Sequence, residues 1–321
     1  MFTLFASIII ALHPLTQLPN LKSLLHLLII YRPKNSVITS QALGSILNKL
    51  QNAEDLQEGL ETVLSSYIKV IRDSWQPDAV TALAWVAKGL LMRGHERVKD
   101  AIMLFFEILS CNPSESAAEC AAAAFKVLMN DSDLCLNRRF HAVSRPLYKQ
   151  RLFATVMPIF LSLLIKSQPQ PSSRSMLLRG FSHVICDSPL SAVSRDSNKL
   201  IPFLLDALTS LDKVSSDKDI VYGLVLVLSG LLTDPNGQSN VLENIRGIVE
   251  GLVELISYPY MMVVRETAVQ CLSTMATLPH ASVYRFRQQI LNATRRALDD
   301  PKRVVRLEAV KCRNLWSARD T

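Results

Sequence analysis

Val263-Val264-Arg265-Glu266-Thr267-Ala268-Val269-Gln270-Cys271 and Val304-Val305-Arg306-Leu307-Glu308-Ala309-Val310-Lys311-Cys312 are two copies of one segment, with six identities in nine at an offset of 41. Both place apolar side chains at helical spacing: Val264, Ala268 and Cys271 in the first, Val305, Ala309 and Cys312 in the second. Each follows another amphipathic stretch, residues 241–256 and 283–298 respectively. The repeating unit is helix, short turn, helix, about forty residues long.

Carried backwards, the period predicts inner helices at 220–232, 174–185, 115–129, 79–92 and 39–50. Their outer partners fall at 200–211, 153–167, 98–109, 56–70 and 15–30. Breakers punctuate the pairs: Cys111-Asn112-Pro113, Gln168-Pro169-Gln170-Pro171, Asp234-Pro235-Asn236-Gly237, Tyr258-Pro259 and Asp299-Asp300-Pro301. This pattern predicts an all-α, HEAT-type α-solenoid of about seven helix pairs. It is expected to run as a single solenoid over residues 1–321, with an inter-repeat insert at 131–151. The last unit has the fullest form, Asp300, Val305, Arg306 and Ala309. There the small Ala lets paired helices approach, and Asp and Arg near the turns are expected to bond from repeat to repeat. The preceding unit keeps Val264, Arg265 and Ala268 but has Pro259 where the Asp would fall, so its ladder is expected to be incomplete, and earlier units keep only the apolar pattern.

Composition agrees with thin helical layers. Apolar residues make up 49% of the 321, yet Gly numbers only 10. So few glycines leave little material for the turns of β-sandwiches or for phosphate-cradling loops. Residues 1–21 carry no charge, but no Lys or Arg precedes the apolar run, and His13-Pro14 and Pro19-Asn20 interrupt it. The continuous part, residues 4–12, is too short to span a bilayer, so a buried helix is expected. Such a first layer, without neighbours before it, should present an uncapped apolar face.

The net charge is +7, and residues 281–321 hold ten Lys and Arg against four acids. A second basic stretch occupies the insert. Six dispersed cysteines include no CxxC, and His183 with Cys186 falls two ligands short of a zinc site, so reduced core thiols are expected. Motifs of the types GxSxG, GxxxxGK[ST], HExxH and GxGxxG are absent, and no His lies three or four residues from another. The sequence therefore predicts no enzyme, no metal and no cofactor. What remains is surface: Arg139-Phe140 and Tyr148-Lys149 set cations beside aromatics, a pairing common in protein interface anchors.

Several segments resemble a known family. They are residues 4–20, Ala82-Leu-Ala-Trp-Val-Ala-Lys-Gly-Leu-Leu-Met-Arg-Gly94, Leu134-Cys-Leu-Asn-Arg-Arg-Phe-His-Ala-Val143, Arg145-Pro-Leu-Tyr-Lys-Gln-Arg151 and Leu298-Asp-Asp-Pro-Lys-Arg-Val-Val-Arg306. They are similar to the C-terminal part of the MMS nineteen family, its plant-type members in particular. The family is a HEAT-repeat adaptor of cytosolic iron-sulfur protein assembly. The resemblance implies docking onto a WD-repeat propeller and a small acidic, cysteine-bearing subunit. It also implies recruitment of iron-sulfur apo-proteins such as DNA helicases and polymerases, in cytoplasm and nucleus. Cluster ligation by this chain is not expected, since its cysteines form no ligand run.

The expected contact surface is Arg138, Arg139, Arg145, Tyr148, Lys149 and Arg151, together with Lys302, Arg303 and Arg306 at the terminal turn. Arg306 is the member whose repeat position suits a purely structural role. Neither a membrane nor direct nucleic-acid contact is expected. The rival readings are a repeat protein that sets the same cations on phosphates, or a transport-type receptor.

Overall fold

A computed structural model describes residues 2–18, 20–30, 37–166, 171–211 and 214–318. Pro19, the Gln168-Pro169-Gln170 turn, Arg319 and Asp320 lie outside the described residues. Every regular element among the described residues is helical. The chain divides into two compact units, Met1–Asp187 and Ser188–Thr321.

In the first unit the helices are α1 (Phe2–Ala11), α2 (Leu21–Ile30), α3 (Val37–Lys49), α4 (Ala53–Gly59), α5 (Ser65–Ser74), α6 (Pro77–Arg93), α7 (Val98–Cys111), α8 (Glu115–Met129), α9 (Tyr148–Lys166) and α10 (Pro171–Cys186). A π-helical turn, Leu60–Leu64, joins α4 to α5. Helices α1, α3, α6, α8 and α10 stack side by side as an inner row. Outer helices α2, α4–α5, α7 and α9 each pair with the inner helix that follows. The pairs predicted from periodicity are therefore present, and α1 adds one more inner helix.

Local chemistry sets the ends. Pro77 begins α6, where its missing N–H costs nothing, and Gly94 closes the helix at φ 75°. Ser114 caps α8 by accepting the Ala117 N–H, and Asn112 ends α7 at φ 43°. Between the rows lies an aromatic cluster in which Phe160 meets Phe106 at 4.7 Å and Phe125 at 4.9 Å, both edge to face. Each such pair stabilises by about 0.5–1.5 kcal/mol beyond its burial.

The second unit contains α11 (Leu190–Arg195), α12 (Ser197–Leu211), α13 (Lys218–Thr233), α14 (Gln238–Glu243), α15 (Ile245–Leu255), α16 (Met262–Met275), α17 (His280–Val283), α18 (Arg287–Ala297) and α19 (Arg303–Ser317). Inner helices α13, α16 and α19 stack in sequence. Each outer helix is broken into a short and a long piece, at Asp196, at Asn244 and at the 3-10 turn Tyr284–Phe286. The short leading pieces were invisible to the apolar period, because four to six residues are too few to display it. Val264, Ala268, Cys271, Val305, Ala309 and Cys312 are all fully buried, as the repeat predicted. Full burial of a Val contributes on the order of 1.5–3 kcal/mol. Burial also pushes the Cys271 thiol up to about 12 and Cys312 to about 11, so both are inert core thiols.

One rung of the expected turn ladder joins the last two repeats. Arg265 donates from Nε to Asp300 Oδ2 at 2.6 Å and from Nη2 to Oδ1 at 3.2 Å, and its Nη1 holds the Tyr258 carbonyl. Burial would raise the Asp300 pKa, but the Arg265 hydrogen bonds and the Lys302 N–H hold the carboxyl below its usual range.

Candidate functional site

The segment after α8 is shorter than the expected insert, since Tyr148 already begins α9. Side chains fold it locally. Ser132 Oγ accepts the Leu134 and Cys135 N–H groups, and Asn137 donates to the Ser132 carbonyl while its Oδ1 accepts the Phe140 N–H. Leu136, His141 and Leu147 adopt positive φ. Bulky residues rarely tolerate that conformation, so tertiary contacts must hold it.

Those contacts come from the inner row. Asn48 of α3 receives the Val143 N–H at 2.7 Å and returns Nδ2 to the Val143 carbonyl at 2.8 Å, while also reaching Gly89 O. The Arg145 N–H donates to the Met92 carbonyl at the end of α6. The insert is thus clamped across the stacked helices rather than looped into solvent.

Lys88 is the second anchor. It lies in α6 at 1% exposure and donates to the Leu128 carbonyl at 2.7 Å, the Asn130 carbonyl at 2.8 Å and Tyr148 Oη at 3.2 Å. Three acceptors match the three donors of an ammonium, two of them carbonyls at the C-terminus of α8. Burial nevertheless lowers the Lys88 pKa to about 7, with Lys149 adding to the effect. Tyr148 passes the network on, its hydroxyl donating to Asp131 Oδ1 at 3.1 Å, and Lys149 pairs with Asp131 Oδ2 at 3.0 Å. Partial burial opposes ionisation of Asp131, but the bond and charge of Lys149, then the Tyr148 hydroxyl bond and the charge of Lys88, hold its carboxyl below the usual range.

The predicted contact residues therefore divide. Arg138, Arg139, Arg145 and Arg151 are exposed, with Arg139 beside the Phe140 ring at 5.7 Å. Tyr148 and Lys149 are half-buried and engaged with Asp131. All six lie in the first unit. In the second, Lys302 and Arg303 are exposed at the start of α19. Arg306 donates to the Asp300 carbonyl at 2.6 Å and to Pro301, closing its own turn. Sequence reasoning missed Asn48, Lys88 and Asp131. A lone Lys inside the apolar run of α6 is the signal by which Lys88 could have been found.

Elsewhere, burial lowers the His183 pKa to about 4 and raises that of Cys186. Among the described residues no group of three or more His, Cys, Asp or Glu is placed to hold a metal, and no helix is long and apolar enough to cross a membrane.

Paired helices stacked in rows, carrying a basic segment clamped across the inner row, define a HEAT-type helical-repeat protein. A crystal structure of an engineered protein shares this fold, with TM-score 0.52 and 13% identity, covering 98% of this chain and 74% of that one. Residues 1–276 match the family model described as RNAPII transcription regulator C-terminal. The Arabidopsis thaliana protein named MMS19 nucleotide excision repair protein homolog is 40% identical over 359 residues, covering 98% of this chain and 32% of that protein. A Schizosaccharomyces pombe protein named DNA repair/transcription protein mms19 is 29% identical, covering 88% of this chain and 27% of its own length. The chain belongs to the MMS19 family. It spans about a third or less of the length of these relatives, 32% and 27%.

Proposed function

We propose that the chain is the docking portion of a non-enzymatic adaptor in cytosolic iron-sulfur protein assembly. It binds a WD-repeat propeller and a small acidic, cysteine-bearing subunit, in cytoplasm and nucleus. It thereby helps deliver clusters to apo-proteins such as DNA helicases and polymerases, a role in keeping with relatives named for DNA repair. The observation that carries this reading is the clamped basic segment. Arg138, Arg139 and Arg145 stand exposed on a backbone fixed by Asn48 and Met92. A preorganised cationic surface favours an acidic protein partner, because little ordering entropy is lost on binding.

The test is capture of the purified propeller and acidic subunit by the tagged chain. Charge reversal at Arg139 and Arg145 should weaken capture at least tenfold with helicity unchanged. Lys149→Glu should weaken it as well, but with loosening of the insert, since Lys149 is the partner of Asp131. Undiminished capture by Arg139→Glu/Arg145→Glu would sink the reading. Duplex DNA serves as the control ligand, and salt-dependent binding to it would favour the phosphate-binding alternative.

A further inference from the structure

A cleft of about 170 Å³ opens where the turn between α6 and α7 meets the first turns of α9. Leu91, Val98, Ile102 and Leu152 form its apolar floor, and all four are buried. Cavities of ~150 Å³ hold a benzene ring, so the cleft has room for one leucine or phenylalanine side chain. Lys99 and Arg151 stand exposed on its rim. The stem of Arg145 lies across Gly94, which also lines the cleft, close enough that a Cβ on Gly94 would sit 2.5 Å from Arg145 Cδ. Among the described residues the side chains of these three cations have no carboxylate partner, and Glu96 is the one acid on the rim. His95 Nδ1 accepts the Arg97 N–H, which puts the ring proton on Nε2. An apolar floor ringed by uncompensated cations and a neutral donor suits a buried anchor flanked by carboxylates.

We propose that this cleft is the anchor pocket for an acidic peptide segment of a partner. One leucine- or phenylalanine-sized side chain fills the floor, and carboxylates on either side meet Lys99, Arg145 and Arg151. This rests on the adaptor reading and deepens it, by replacing a diffuse basic surface with a defined anchor site.

The experiment is a fluorescence-anisotropy titration of the chain against a fluorescein-labelled Asp-Glu-Asp-Leu-Asp-Glu peptide and its Leu-to-Ala counterpart. The Leu peptide should bind at least tenfold more tightly. Thr155 is exposed at the mouth. Thr155→Trp should plug the cleft and abolish that preference without loss of helicity. Lys99→Glu should weaken both peptides. Equal binding of the two peptides, or an undiminished preference in Thr155→Trp, overturns the pocket. Its fate is separable from that of the adaptor. Capture of the propeller and acidic subunit that persists in Thr155→Trp overturns the pocket alone, whereas Leu-selective peptide binding by a chain that captures neither protein supports the pocket and sinks the adaptor reading.

Discussion

Gly44 and Gly89 bring the backbones of α3 and α6 into direct contact, so that a Cβ added to Gly89 would be driven into the Gly44 carbonyl oxygen. Ala is favoured over Gly inside a helix by up to ~1 kcal/mol. Here the obstacle is backbone, which no rotamer change relieves. Overpacking of this kind costs about 1–3 kcal/mol and outweighs the propensity gain. Gly89→Ala should therefore lower Tm by several degrees and loosen the Asn48 clamp on Val143, seen as faster hydrogen exchange at the Val143 amide. A rise in Tm would show that the helices yield freely at this crossing.

Lys88 predicts a pH dependence. Unfolded, its amine keeps the proton up to the ordinary value of 10.5, whereas folded it releases it near 7. Between those values the unfolded state binds more protons, so this residue makes stability rise with pH, by at most about 1.4 kcal/mol per pH unit. The contribution is complete above 10.5 and is lost as pH falls to about 7. Urea unfolding across pH 7–10 should show the rise in the wild type and a flatter profile in Lys88→Met. The same variant orphans the Leu128 and Asn130 carbonyls, so it should also be less stable throughout and release the insert to proteolysis.

Arg265 and Asp300 are 11% and 6% exposed, and breaking one side leaves the other charge buried. Removal of one partner from a buried pair costs about 3–5 kcal/mol. Arg265→Ala and Asp300→Ala should each destabilise the second unit by an amount in that range, and the double variant by much less than their sum. Because the Asp300 pKa is lowered, its stabilisation is present above the ordinary carboxylate value and disappears as pH falls through the lowered one. Calorimetry of the three variants at pH 7 and at pH 3 checks both statements, and additive single effects would refute the pairing.

On α1, Leu4 is 67% and Ile8 53% exposed, while Ala6, Ile9 and Ile10 are buried. Residues of both kinds on one short helix give it two apolar faces, of which α3 covers one. The isolated chain should self-associate at micromolar concentration, and Leu4→Gln/Ile8→Gln should shift it towards monomer in sedimentation velocity. A wild-type chain that is already monomeric would remove the inference.

The amino-acid order by itself determined the helices and their pairing. A forty-residue spacing of Val264, Ala268 and Cys271 against Val305, Ala309 and Cys312 dictates which face of each helix is buried. Periodicity is a local property, legible wherever three or four turns share one apolar stripe. It also marked the basic segment, because charge is carried by composition. What only the tertiary structure decided is which polar groups those faces enclose. Asn48 reaches Val143 across 95 positions, and Lys88 finds carbonyls about forty residues away, at Leu128 and Asn130. No local pattern encodes such partners, since a buried donor is satisfied by whatever acceptor the packed neighbour presents. The division of Arg138, Arg139 and Arg145 from Lys149 and Arg306 follows from the same fact. Their charges read alike in sequence, and only the positions of Asp131 and the Asp300 carbonyl separate the cations that hold the fold together from those left facing solvent.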